Sequence, residues 1–210
     1  MKALIGLTLG CLLVLGSAQA EDDPTGLAAL QARWAEINYQ TPDKQKEDAF
    51  EALAEQAQAL VEAYPNRAEP LIWQGIILST YAGAKGGLGA LSLVKQARRS
   101  LEAALEIDES ALQGSAHTSL GSLYYQVPGW PIGFGSDRHA REHLQKALAI
   151  NPAGIDSNYF FADFLLSEGE EDAAKQYFEK ALAAPNRPDR PLADQGRREE
   201  IRAKLAELNS

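Results

Sequence analysis

Apolar side chains recur along this chain at steps of three and four residues, the spacing of one face of a helix. The clearest case runs from Ser110 to Pro152. There Leu112, Ala116, Leu120 and the pair Leu123–Tyr124 share one face, and Ala140, Leu144, Ala147 and Leu148 share another. Asn151-Pro152 ends the second stretch, since proline cannot continue a helix. Between the two lies VPGWPIGFGSDR, where prolines and glycines alternate with Trp130, Ile132 and Phe134. The same periodicity predicts a helix opening at Asp23-Pro24 with Leu27, Leu30, Trp34 and Ile37 on its buried stripe. A second opens at Thr41-Pro42 and carries Phe50, Leu53, Ala57, Leu60 and Tyr64. Further helices are expected over LIWQGIILSTY, VKQARRSLEAALEID, 156–167 and 171–184, with a last one carrying Leu192, Ile201, Leu205 and Leu208. No stretch alternates with period two for the length of a strand. The pattern predicts an all-α protein.

Aligning the predicted helix pairs shows one unit repeated. The central pair has Gly121, then Ala140, Leu144, Ala147 and Leu148; the pair before it has Gly75, then Ala97, Leu101, Ala104 and Leu105. The pair after it has Ala162, then Ala174, Phe178, Ala181 and Leu182, and Ala147 and Ala181 stand 34 residues apart. This unit resembles the tetratricopeptide repeat, a helix-turn-helix of about 34 residues. The resemblance implies a right-handed helical-repeat solenoid with repeats near 24–65, 68–109, 110–152 and 155–188, and a capping helix over 190–208. It implies a binding function and says nothing of chemistry.

Two repeats depart from the pattern. The small residue of the first helix and the first alanine of the second are 12 apart in the last repeat (Ala162 to Ala174). They are 19 apart in the central one (Gly121 to Ala140) and 22 apart in the one before it (Gly75 to Ala97). Enlarged inter-helix loops are therefore expected in two neighbouring repeats, on one edge of the array. In compartment, repeat type and loop composition the chain is similar to the periplasmic helical-repeat component associated with TRAP-type solute transporters. That likeness implies an accessory that binds a small apolar ligand.

The N-terminus reads as a cleavable leader. Lys2 precedes an apolar run from Ala3 to Gly16, and Ser17-Ala18-Gln19-Ala20 offers a cleavage site before Glu21. At about 14 residues the run is short for a bilayer span, and no later segment reaches the ~18–20 required, so no transmembrane segment is expected. A lipid anchor at Cys11 fits poorly, because Thr8 and Leu9 do not form the expected motif. An exported, periplasmic protein with residues 1–20 removed and 21–210 as its domain is the expectation. Cleavage would remove the single cysteine, so no disulfide is available. The formal net charge of −9 argues against a nucleic-acid partner, whose phosphates call for clustered Lys and Arg.

Three motifs suggest chemistry. His139-Ala-Arg-Glu142-His143 matches H-x-x-E-H, which places two imidazoles on one helical face with a carboxylate as general base, the arrangement of a zinc hydrolase. Repeat register already explains those residues, however, and no third ligand stands out after His143. The Gly83–Gly89 cluster lacks the strand and the Ser or Thr of a phosphate-binding loop and reads as an inter-helix turn. His117 falls where such repeats carry a large apolar side chain and reads as a half-buried core residue. The expectation is no enzyme, no cofactor and no metal. The protein reads as a scaffold that holds a protein or peptide in its concave groove. By register that groove carries Ile72, Ile76, Thr118, Ser122, Tyr125, Tyr159 and Asp163. The 127–137 loop adds Trp130 and Phe134, with Trp130 expected to pack at the groove mouth among Tyr124, Tyr125 and Tyr159.

Overall fold

Leu30, Trp34 and Ile37 on one helical face and Phe50, Leu53 and Ala57 on the next can leave water only if the two helices pack together. In the computed structural model, which describes residues 26–209, all six are buried in one cluster with Trp73, Ile77 and Tyr81. The described residues form nine helices and no strand. They are α1 (Leu27–Gln40), α2 (Asp43–Ala63), α3 (Ala68–Lys85), α4 (Gly87–Ile107), α5 (Ala111–Gln126), α6 (Asp137–Ile150), α7 (Ile155–Ser167), α8 (Glu171–Leu182) and α9 (Pro191–Leu208). The expected leader and the helix start at Asp23-Pro24 lie outside the described residues. None of the described helices is long and apolar enough to cross a membrane.

The helices pack in consecutive antiparallel pairs, α3 on α4, α5 on α6 and α7 on α8, and successive pairs stack. A small residue in the first helix of a pair admits a large one from the second. A Cβ at Gly75 would lie 2.5 Å from Leu101 Cγ, and a Cβ at Gly121 would lie 2.5 Å from Leu144 Cγ. Ala162 and Phe178 take the corresponding places in α7 and α8, both with no exposed surface. Ala97, Ala104, Ala140, Ala147, Ala174 and Ala181 are likewise wholly buried. At each of these points any larger side chain would force the helices apart. The result is an all-α helical-repeat architecture.

The structure corrects four expectations. The extra residues of the 68–109 unit do not form a loop: α3 and α4 simply run on and meet at Gly86. Gly83 lies inside α3 and Gly89 inside α4, and the chain turns between the helices at Gly86 and Gly87, at φ 63° and 58°. The 127–136 segment is a true inserted loop, but Trp130 points away from the groove and is 90% exposed. Ile72 is not on the groove face; it is wholly buried in the core with Leu101 and Leu120. Leu112 does not belong to the stripe of α5. Leu112, Gln113 and Gly114 all have positive φ, and the regular helix runs on from Ser115.

A further difference concerns the last helix. It was expected to cap the array, and α9 does pack on α8 with Ile201 fully buried, but it also crosses to α1. Gly196 lies flat against the Tyr39 ring, so close that a Cβ there would sit 2.3 Å from Tyr39 Cδ1. Ala193 joins the Trp34 cluster. The first and last described helices thus meet, and the array closes around a central space.

Candidate functional site

That central space is a cavity of about 190 Å³ walled by α1, α3, α5, α7, the segment leading into α9 and the start of α9 itself. Of the residues placed on the groove by register, Ile76, Thr118 and Ser122 line it. The others lie elsewhere. Tyr159 is buried in the α7–α8 core beneath the Arg197 guanidinium, 4.1 Å from its ring centre. The Tyr125 hydroxyl donates to Asp163 at 2.7 Å, and Lys204 holds the other Asp163 oxygen at 3.2 Å. Burial and then the Asp163 charge push the Tyr125 hydroxyl well above its ordinary range. Phe134 packs edge-on against Tyr124 and carries the Arg98 guanidinium 4.5 Å above its ring.

The residues that give the cavity its character were not anticipated. Trp34 and Trp73 meet edge to face at 5.8 Å, and the Trp34 indole donates to the Thr80 hydroxyl at 3.0 Å. Facing them are Arg187, Arg190 and Arg197, with Asp156 among them. Arg187 donates to Asp156 at 2.7 Å and to Asp194 at 2.6 Å, while Arg197 donates to the second Asp156 oxygen at 3.0 Å. Burial alone would raise the Asp156 carboxyl, but Arg197, Arg187 and Arg190 outweigh it and hold it far below the usual carboxylate range. Arg190 is placed differently. It lies 4.9 Å over the Trp73 ring, it forms no ion pair among the described residues, and its Nε is buried without a hydrogen-bond partner. Burial lowers its pKa. A sequence signal did exist: Pro185-Asn-Arg-Pro-Asp-Arg190-Pro packs two arginines between prolines in an acidic chain. As a Pro-rich stretch between two helices, it carries no sign that its cations turn inward.

The left-handed turn at Leu112–Gly114 positions the opposite wall. It is held by the Asn151 amide, which donates to the Gln113 side chain at 2.9 Å, and it sets Ser115 and Thr118 on the cavity. A non-glycine residue in this region costs roughly 1–2 kcal/mol, so two in succession are strained. A larger open vestibule of about 540 Å³ shares Trp73, Ser115, Thr118, Asp156, Arg187 and Arg190 with the cavity. The Arg190–Trp73 pair therefore stands where the two spaces join.

The histidines form a separate group on α5 and α6. His117 is 2% exposed, with Nδ1 2.9 Å from Nδ1 of His143, so one of the two donates to the other. Tyr124 stacks on His143 with rings 5.6 Å apart. Arg138 reaches both His139 Nε2, at 2.7 Å, and Glu142, at 2.8 Å. The H-x-x-E-H side chains are thus engaged with other partners, and no three His, Cys, Asp or Glu among the described residues converge as a metal site. Burial, then the neighbouring charges of His117, Lys146 and His139, lowers His143 to about 4.

Residues 155–186, which span α7 and α8, match the family model of the tetratricopeptide repeat. No curated protein matches the chain. Two solved structures of MamA are similar in fold. One is 20% identical over 79% of this chain and 90% of that one, with a TM-score of 0.46. The other is 19% identical over 87% and 90%, with a TM-score of 0.45. Repeat scaffolds of this type generally bind proteins and are generally non-catalytic. The chain thus carries a tetratricopeptide repeat in α7 and α8, within an all-α helical-repeat scaffold that its other helix pairs complete.

Proposed function

We propose that this protein is an exported, periplasmic interaction scaffold that docks a protein partner on the edge where the 127–137 loop emerges. The observation that carries the reading is a rigidly held loop with its large apolar side chains in water. Ser136 N–H donates to the Tyr124 carbonyl at 2.8 Å, Gly135 to Pro128 at 3.0 Å and Gly133 to Gly129 at 3.1 Å. Val127 is buried beneath the loop and Phe134 is pinned to Tyr124, yet Trp130 is 90% and Ile132 61% exposed. Leu88, 90% exposed, begins α4 at the α3–α4 junction, on the same edge of the antiparallel pairs. Covering each such side chain is worth about 1.5–3 kcal/mol, and a loop already ordered adds little entropic cost on binding. The central cavity, by contrast, is too small for a folded partner or an extended peptide. Its rings are mixed with arginines and hydroxyls, so a transporter-accessory role would fit a ligand with a polar head better than a wholly apolar one.

The test compares Trp130→Ala/Ile132→Ser with wild type in crosslinking from periplasmic extract. A specific stoichiometric partner should be lost from the variant while the melting temperature stays within about 2 °C, as for an exposed site. Retention of the partner by the double variant would refute the assignment of the edge. Intact mass of the protein released by osmotic shock should place the N-terminus at Glu21; a retained leader or an acylated Cys11 would refute export as a free periplasmic protein.

A further inference from the structure

From the one guanidinium left unanswered in its wall, we infer that the central cavity is a binding site for a small organic monocarboxylate. Arg190 and the hydroxyls of Ser119 and Ser122 receive the acid head, and Trp73 and Trp34 flank the body. The inference is independent of the docking edge.

The charges around the cavity decide the class of ligand. Three arginines and one carboxylate line it. Arg187 and Arg197 are held by Asp156, with Asp194 and Glu200 behind them, so their charge is answered inside the protein. The same pairing neutralises Asp156, which therefore offers an incoming anion little repulsion. Arg190 alone has no carboxylate within ion-pair distance among the described residues, and its buried Nε has neither a protein acceptor nor free access to water. The other donors of its guanidinium have no protein acceptor either, and the group lines both spaces, so a ligand acceptor there would make a bond the protein does not. A guanidinium presents its donors as a planar fork that matches the two oxygens of a carboxylate. One spare cation suits one negative charge; a phosphate near neutral pH would bring close to two.

The hydroxyls sort in the same way. Ser79, Thr80, Ser115 and Thr118 each donate to a carbonyl of their own helix, at 2.7, 2.9, 2.6 and 3.4 Å, and so offer the cavity only lone pairs. Ser119 and Ser122 make no such bond and are free to donate to an anion. The two tryptophans and Phe160 give the rest of the wall an apolar character suited to a ring or a short chain. At about 190 Å³ the space lies below the roughly 300–1,000 Å³ of drug-sized sites, which limits the occupant to a small acid. The vestibule that shares Arg190 and Trp73 provides its entry.

The experiment measures binding by calorimetry and by thermal shift on the whole protein. The probes are benzoate, phenylacetate and hexanoate, each beside its neutral amide, with inorganic phosphate in parallel. At least one acid should bind saturably with one site while its amide binds at least tenfold more weakly and phosphate does not bind. Arg190→Gln should weaken that acid by about ten- to a hundredfold, as expected for a lost charge-assisted hydrogen bond. Ser119→Ala/Ser122→Ala, which leaves the ion network intact, should weaken it about three- to thirtyfold and serves as the readout if Arg190→Gln does not fold. Trp130→Ala should bind the acid as wild type does. Equal binding of acid and amide, binding of phosphate in place of the acids, no binding of any acid, or full affinity in the serine double variant would overturn the inference.

Discussion

A single methyl group added at two glycines should have opposite effects, and the difference measures how tightly the array is closed. Gly83 in α3 faces open space, whereas a Cβ at Gly196 in α9 would lie 2.3–2.5 Å from Cδ1, Cε1 and Cγ of Tyr39 in α1. Both sites are helical, so alanine gains roughly 1 kcal/mol of backbone propensity at each. At Gly83 that gain stands alone, and the protein should be stabilised by about 0.5–1 kcal/mol. At Gly196 it is set against overpacking, which costs about 1–3 kcal/mol because a ring held at its base cannot swing aside as a flexible chain end would. Gly196→Ala should therefore range from neutral to about 2 kcal/mol destabilising. In a domain of this size 1 kcal/mol moves the melting temperature by about 2–4 °C, so the two variants should differ by at least about 2 °C. Thermal melts of both, repeated in a Tyr39→Ala background, complete the measurement. With the ring removed, Gly196→Ala should behave as Gly83→Ala does. If the two variants melt together, or Tyr39→Ala makes no difference, then α1 and α9 do not meet as described.

Other perturbations probe the repeat register, the histidine pair and the arginine cluster. Ala147 is wholly buried, so Ala147→Asp strands a carboxylate between helices and should cost at least about 3 kcal/mol, against under about 0.5 kcal/mol for Lys146→Gln next to it; equal urea midpoints would refute the register. The folded-state pKa of His143 is depressed to about 4 from 6.5, so the unfolded chain binds the extra proton and stability should fall as pH drops from 6.5 toward 4. His143→Gln should flatten that slope between pH 6.5 and 5, above the main carboxylate titration, and an unchanged slope would refute it. Asp156→Asn leaves Arg187 and Arg197 short of an acceptor and should cost about 2–3 kcal/mol, below the 3–5 of a fully buried pair because the side chain is 30% exposed. The Asp156 carboxyl is depressed, so its contribution is present above its ordinary range near pH 4 and lost as pH falls below it; wild-type stability in the variant at pH 7 would count against the network.

The helical class was legible because alanine and leucine recur with the period of a helix, and Gly75 and Gly121 marked where two helices approach. These are local signals, repeated often enough to be read without the fold. The glycine cluster was half legible: Gly86 and Gly87 do make the inter-helix turn, but Gly83 and Gly89 are helical, because exposed glycine in a helix costs little when long flanking segments favour the helix. Trp130 misled differently: an apolar side chain usually seeks cover, but the hydrogen bonds of its loop fix its direction first. The site itself was illegible for a geometric reason. It depends on residues 39 and 196 meeting, and a contact of that span leaves no periodic trace. Arg187 and Arg190 stand among prolines between two helices, and only closure of the array turns them into the cavity.

The meeting of α1 and α9 also sets the order in which this chain acquires its parts. A chain that emerges from its N-terminus completes α5, the loop and α6 while α9 is still to come, and neighbouring repeats can pack as they appear. The proposed docking edge can therefore be presented by an unfinished molecule. The cavity cannot, because its cationic wall belongs to residues 187–197 and its closing contact joins the last helix to the first. Shortening the chain before Arg187 would leave a stack of repeats with its outer edge intact and an open channel where the pocket had been.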